Sequence, residues 1–341
     1  MVRQAYFQTP GHVVAAGVVL SLVDIIAVTL RIWARKRQRQ PLRWDDWFII
    51  PAMLLAIGIG IDLIYGVSQR ALGYTLEVPP DYVGNPLELI TDQTIMTAKI
   101  EFAYVLMLPI ALGCAKLSIL FFYSRIFAAA SAGKRYYLLM ALQVFVGIWT
   151  VAFFFIALFQ CKLQFWVFFS STMDMVEHCP WTMDVALSLC ITDFVTDLVI
   201  LAIPVPLIWS ITQMTVSNKI TVLAVFFLGS TTVIASLLRL VNLIQIISSG
   251  FDPNLDEILV ITEYLYWGMI ECGVGICAAC FPVFQVLFRD LPWNKVFSHP
   301  KSTSDNSDLT DSQESKEAGK SSIVVQHTFR VSNREVTGSP V

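Results

Sequence analysis

Seven apolar runs, each long enough to cross a bilayer, follow one another at about 12–34, 47–67, 101–127, 136–160, 182–212, 219–248 and 261–288. A membrane-spanning helix needs roughly 20 mostly apolar residues. A single such run fits a buried helix of a soluble protein, but seven in series do not. The chain of 341 residues is 56% hydrophobic and 14% charged, against about 45–50% and 25% for soluble domains. The predicted fold is therefore an all-α membrane protein, a seven-transmembrane helix bundle over residues 1–297. The last three runs exceed one bilayer thickness, which predicts tilt or helical extension beyond the lipid.

Basic residues set the expected orientation. Arg31, Arg35, Lys36, Arg37, Arg39 and Arg43 crowd the first connection, and Arg125, Lys134 and Arg135 the third. The alternate connections are poorer in base, which predicts an outside N-terminus and a cytoplasmic C-terminus. The start, MVRQAYFQTPGH, lacks the ordered parts of a signal peptide, so the first run is expected to be a retained span. From 298 to 341 the chain turns polar and Ser-rich, KSTSDNSDLTDSQESKEAGKSS, and is expected to be a disordered cytoplasmic tail.

Two of the seven cysteines, Cys161 and Cys179, fall in the connection between the fourth and fifth runs. That connection is expected on the oxidising side, which predicts a disulfide there; two free thiols are the alternative. The other five lie within apolar runs, where cysteine behaves as a small apolar residue.

Ionisable groups inside a span are costly and mark candidate functional sites. By rise per residue, Asp24, Lys116, Asp193 and Glu271 fall near mid-depth, with Asp197 one turn from Asp193 on the same face. Lys116 is expected to pair with Asp193, Asp197 or Glu271. Arg239 falls in the outer half and is expected to serve Glu263 or Glu101; Asp62 is a further outer acid. These groups are read equally as register-fixing ion pairs and as the lining of a ligand or ion pocket. Pro204 and Pro206 predict a kink in the fifth span. Gly268, Gly273 and Gly275 predict close helix contact in the seventh.

Several chemistries find no support. The four histidines are dispersed, with no metal-ligand spacing. No phosphate-binding glycine loop or nucleophile elbow is present. No basic stripe suggests nucleic acid. Retinal attachment needs a lysine at depth, and the seventh run, YLYWGMIECGVGICAACFPVF, offers Glu271 instead. No cofactor is expected.

Particular stretches carry a resemblance. They are RIWARKR and LRWDDW after the first run, AKLSILFFYSRIF closing the third, and CKLQFW and HCPW between the fourth and fifth. TDFVTDLVILAIPVP, ASLLRL and YWGMIECGVGICAACFP follow in the last three runs. The ordered set, over about 15–290, resembles the fungal rhodopsin-like integral membrane proteins, which include the satratoxin-cluster membrane protein and the seven-helix part of Pth-type receptors. The resemblance implies a receptor-like, non-catalytic protein associated with a secondary-metabolite gene cluster. Its implied partners are the bilayer, a small-molecule ligand or metabolite, and a cytoplasmic signalling partner. It places Asp45 and Asp46, Arg125, Lys116, Cys161, Cys179, Asp193, Asp197, Arg239 and Glu271 at the family's pattern positions, with Asp45, Asp46 and Arg125 as cytoplasmic loop motifs. Two departures stand out. The eight-cysteine module of some Pth-type receptors is absent, and FPVFQVLF lacks the Arg-Pro expected after its proline. A metabolite exporter and a membrane-embedded cyclase using a buried acid are the alternatives. Against the exporter, the halves show no internal repeat.

Overall fold

Helices account for nearly all of the computed structural model, which describes residues 8–78, 89–128, 134–162, 164–170, 172–203, 216–249 and 256–290. They are α1 (Pro10–Arg37), α2 (Trp44–Ser68), α3 (Asp92–Ala128), α4 (Lys134–Phe159), the short α5 (Thr172–His178), α6 (Thr182–Ala202), α7 (Val216–Ser249) and α8 (Glu257–Asp290). A 3-10 turn, Phe165–Phe169, precedes α5. No strand occurs among the described residues. Seven of the helices, all but α5, are long and apolar enough to cross a bilayer.

Local chemistry sets several ends. Pro10 opens α1 at a position where its missing N–H costs no hydrogen bond. The backbone N–H of Arg43 donates to the Asp46 carboxylate at 3.3 Å, fixing the first turn of α2. Beyond α2, Gly73 adopts a left-handed φ of 77°. A Cβ there would lie 3.0 Å from backbone atoms of Pro10, so glycine is required twice over. Its N–H donates to Thr262 Oγ1 at 2.9 Å, tying this turn to α8.

Two helix starts differ from expectation. α3 begins at Asp92, well before residue 101, and α8 begins at Glu257. Hydropathy underweights the first turns of α3 because DQTIMTAK is polar. Those polar groups are partnered: Thr97 Oγ1 donates to the carbonyls of Ala71 at 2.8 Å and Gln93 at 2.9 Å. The kink predicted at Pro204 and Pro206, and the tail at 298–341, lie outside the described residues.

α3 and α8 form the centre. In each, 61% of the most apolar window is buried inside the protein, against 22–33% in the other five spans. The remaining spans turn large apolar side chains outward, such as Leu138, Val144, Ile148 and Phe155 of α4. Surrounded by lipid, such a surface costs nothing to expose. At Gly268 a Cβ would sit 1.7 Å from Tyr104 Oη, so this glycine admits the tyrosine between α3 and α8. The expected disulfide is present: Cys161 and Cys179 are bonded, and both are buried with Val167 and Phe168 against Phe102 of α3.

Candidate functional site

Four helices deliver the first ionic network to one buried point. Lys116 lies within α3, and Asp193, Thr196 and Asp197 share one face of α6 by their spacing of three and four. The Lys116 ammonium donates to Asp193 Oδ1 at 2.6 Å, Thr196 Oγ1 at 2.8 Å and the Asp193 carbonyl at 3.0 Å. It also lies 2.8 Å from Asp197 Oδ1. Those contacts saturate a group with three protons.

Arg239 brings in α7. Its Nη2 donates to Asp193 Oδ2 at 2.6 Å and lies 3.3 Å from Glu271 Oε2 on α8. This corrects the expected pairing of Arg239 with Glu263 or Glu101. Side chains on a helix tilt toward its N-terminus, and α7 runs toward the disulfide, so Arg239 reaches inward rather than outward. Glu263 instead accepts from Gln8 Nε2 at 3.5 Å. Of the three carboxylates proposed for Lys116, Asp193 and Asp197 are its partners, while Glu271 pairs with Arg239.

Asp193 is therefore the hub, with one oxygen on each cation. All five charged groups are buried. Three carboxylates stand against two cations. One oxygen from each of Asp193, Asp197 and Glu271 can be chosen so that all lie within 4.8 Å of one another, a spacing compatible with a shared cation. Both oxygens of Asp193 are already engaged by Lys116 and Arg239, however, which leaves a poor ligand set. Asp24 is not in this ion-pair set. It is fully buried on α1, where Cys277 Sγ donates to its Oδ1 at 3.5 Å.

A second network lies at the opposite end of the bundle from the disulfide. Asp45 and Asp46 are not loop residues but occupy the first turn of α2, buried. Arg31 and Arg35, one turn apart on α1, clasp both. Arg31 Nη2 lies 2.8 Å from Asp45 and its Nε 2.9 Å from Asp46; Arg35 Nη2 lies 2.6 Å from Asp45 and its Nε 3.3 Å from Asp46. Arg31 Nη1 also donates to the Ala279 carbonyl of α8 at 2.5 Å. Ser118 of α3 donates to the Asp45 carbonyl at 2.6 Å, so four helices meet here. Arg125 does not join the acids; it donates to Gln40 Oε1 at 2.8 Å. Sequence reasoning used Arg31 and Arg35 only as topology markers. Their four-residue spacing facing an Asp-Asp pair was the available signal.

The third feature left no trace in the sequence. A cavity of about 200 Å³ opens under the disulfide-tethered connection, between α3, α4, α6, α7 and α8. Val105, Phe153, Phe168, Ala186, Leu189 and Ile261 make its wall mostly apolar, and Glu101 and Glu257 add two carboxylates. Tyr264 also lines it. The same ring stands 5.9 Å from the Arg239 guanidinium and 6.0 Å from the Tyr104 ring. Tyr264 thus forms a shared wall between the cavity and the central ionic network.

Comparison with known proteins places this architecture. A fungal rhodopsin domain model matches residues 30–290, most of the chain, from the last turns of α1 to the end of α8. The chain is 26% identical to phomoidride biosynthesis cluster protein H from a fungal species, covering 82% of this chain and 89% of that relative. It is 29% identical to a SAT4 family membrane protein of Emericella nidulans over 51% of this chain and 41% of that one. To receptor GIN3 of Arthrobotrys oligospora it is 23% identical, covering 79% and 60%. No solved structure matches it. With seven bilayer-length helices and this domain, the chain is a multi-pass membrane protein belonging to the fungal rhodopsin domain family.

Proposed function

We propose that this protein is a non-catalytic, ligand-responsive membrane protein, receptor-like, that serves a small-metabolite biosynthetic gene cluster. One observation carries the reading: the cavity and the ionic network share Tyr264. A molecule in the cavity presses on the residue that packs over Arg239. That arginine links α6, α7 and α8, and through Asp193 also α3. Differential contact with two arrangements of such a network is what a ligand needs to shift a conformational equilibrium. The names of a cluster protein and a receptor among the relatives support the same reading.

The arginine-rich connection then faces the cytoplasm, where a signalling partner would meet it, and the disulfide end faces outward. Retinal has no part in this reading. The Lys116 ammonium is held by Asp193 and Asp197, and α8 presents Glu271 in place of an amine.

The test is a blocked cavity. Ala186 lines it from α6, and Ala186→Trp fills it. Metabolite fractions from a fungal host are screened for compounds that raise the melting temperature of purified protein in nanodiscs. A genuine occupant shifts the native protein by several degrees and the blocked variant not at all, as expected when a ligand binds only the folded state. Turnover of that compound, or its gradient-driven flux in proteoliposomes, would instead establish the cyclase or the exporter.

A further inference from the structure

A second, smaller cavity touches the ionic network directly, and what it holds does not depend on the cavity beneath the disulfide. It measures about 60 Å³ and lies between α3, α6, α7 and α8. From α3 it is lined by Leu112, Ala115, Lys116, Ile119 and Tyr123, all C-terminal to the Thr94–Pro109 face of the larger cavity. Asp197 of α6, Thr232 of α7 and Glu271 of α8 also line it. Two carboxylate oxygens of this wall have no hydrogen-bond donor. Asp197 Oδ2 and Glu271 Oε1 are buried and accept nothing, in residues only 8% and 1% exposed. Asp197 meets Lys116 through Oδ1 alone, and Glu271 meets Arg239 through Oε2 at 3.3 Å. Burial strips such an oxygen of water, so it needs a partner in return.

Charge, donors and size together restrict that partner. The three carboxylates of the network outnumber its two cations, so one negative charge is left over in a buried place. A single positive charge restores neutrality. A divalent ion would overshoot it, beside a wall that already holds the Lys116 ammonium. Asp193 takes no part, because both its oxygens are held by Lys116 and Arg239. The free oxygens of Asp197 and Glu271 are joined by Thr232, whose hydroxyl donates its proton to the Gly229 carbonyl at 2.8 Å and keeps its lone pairs. These are hard oxygen donors, the kind an alkali or alkaline-earth ion takes. One water needs about 10–15 Å³, so about 60 Å³ has room for a small ion and a few waters to complete its shell.

We propose that this smaller cavity is a sodium site, with Asp197 Oδ2 and Glu271 Oε1 as charged ligands, Thr232 Oγ1 as a neutral one and waters as the rest. The ion joins α6 to α8, which Arg239 of α7 otherwise bridges. It thereby stabilises the arrangement of helices in which the free oxygens of Asp197 and Glu271 face the same space.

Radioactive sodium and the full chain in phosphatidylcholine nanodiscs test this, with empty nanodiscs subtracted. One ion per chain is expected to bind. Melting is then compared in sodium chloride and in choline chloride at equal ionic strength, so that screening is constant. Sodium should raise the melting temperature by several degrees, as a ligand of the folded state does. Asp197→Asn and Glu271→Gln should each abolish ion binding and the sodium-dependent shift. Thr232→Val lies outside the ion pairs and keeps the fold, and it should weaken sodium binding by roughly three- to tenfold, the loss of one oxygen ligand. Its melting in choline chloride, near native, shows that the protein is folded. No bound sodium, equal melting in the two salts, or sodium binding unchanged in Thr232→Val overturns the site. Stabilisation by acid with no response to sodium also overturns it, and assigns the left-over charge to a proton shared by Glu271 and Asp193. None of these outcomes bears on the cavity beneath the disulfide, which Asp197, Thr232 and Glu271 do not line.

Discussion

Asp193→Ala is expected to be the most damaging single substitution in the bundle, with a loss of about 3–5 kcal/mol in folding free energy. Asp193 gives one oxygen to Lys116 at 2.6 Å and the other to Arg239 at 2.6 Å, and both cations are buried. Removing the carboxylate breaks both 2.6 Å contacts, so each buried cation loses its nearest partner and keeps one other, Lys116 on Asp197 at 2.8 Å and Arg239 on Glu271 at 3.3 Å, and breaking a buried pair is strongly destabilising. Reversible denaturation in mixed micelles measures the loss. A single-variant loss below about 1 kcal/mol, the scale of an exposed pair, would mean that water reaches this network.

Arg31→Ala should come next, again at about 3–5 kcal/mol. Arg31 is fully buried, pairs with both Asp45 and Asp46, and donates to the Ala279 carbonyl. Its loss leaves Arg35 alone against two acids and removes the tie from α1 to the Ala279 carbonyl of α8. The damage should therefore spread from α1 and α2 into α8, appearing as faster amide exchange around residues 276–280. Exposed Lys36 is the control: Lys36→Ala should change stability by no more than about 0.5 kcal/mol. Equal effects at 31 and 36 would show that the clasp contributes only through its charge.

Legibility in the sequence followed the physics of each feature. Bilayer-length apolar runs are a one-dimensional signal, so the seven spans could be read directly. The disulfide was also legible, since the expected side of one connection and two cysteines within it are visible without coordinates. Depth along a helix was legible too, and it brought Lys116, Asp193, Asp197 and Glu271 into one set. Rotation about a helix axis was not. Asp24 sits at a similar depth but on the α1–α8 contact, and Arg239 points inward because of the direction of α7. The Arg31–Asp45 clasp was hidden because charge counted for orientation conceals charge used for packing. The cavity was hidden completely. It is bounded by residues from five helices and a loop, each of which looks like ordinary core in its own segment.

Coupling between the cavity and the buried ions is best measured through Glu271, which belongs to the ionic network and does not line the cavity beneath the disulfide. The quantity to compare is the melting shift produced by a saturating cavity ligand in native protein and in Glu271→Gln. If occupancy of the cavity is felt through Tyr264 and Arg239, the shift should change by several degrees in the variant, although its cavity wall is intact. Identical shifts in the two proteins, with equal affinity, would contradict that coupling and leave the cavity as a binding site with no connection to the ionic network.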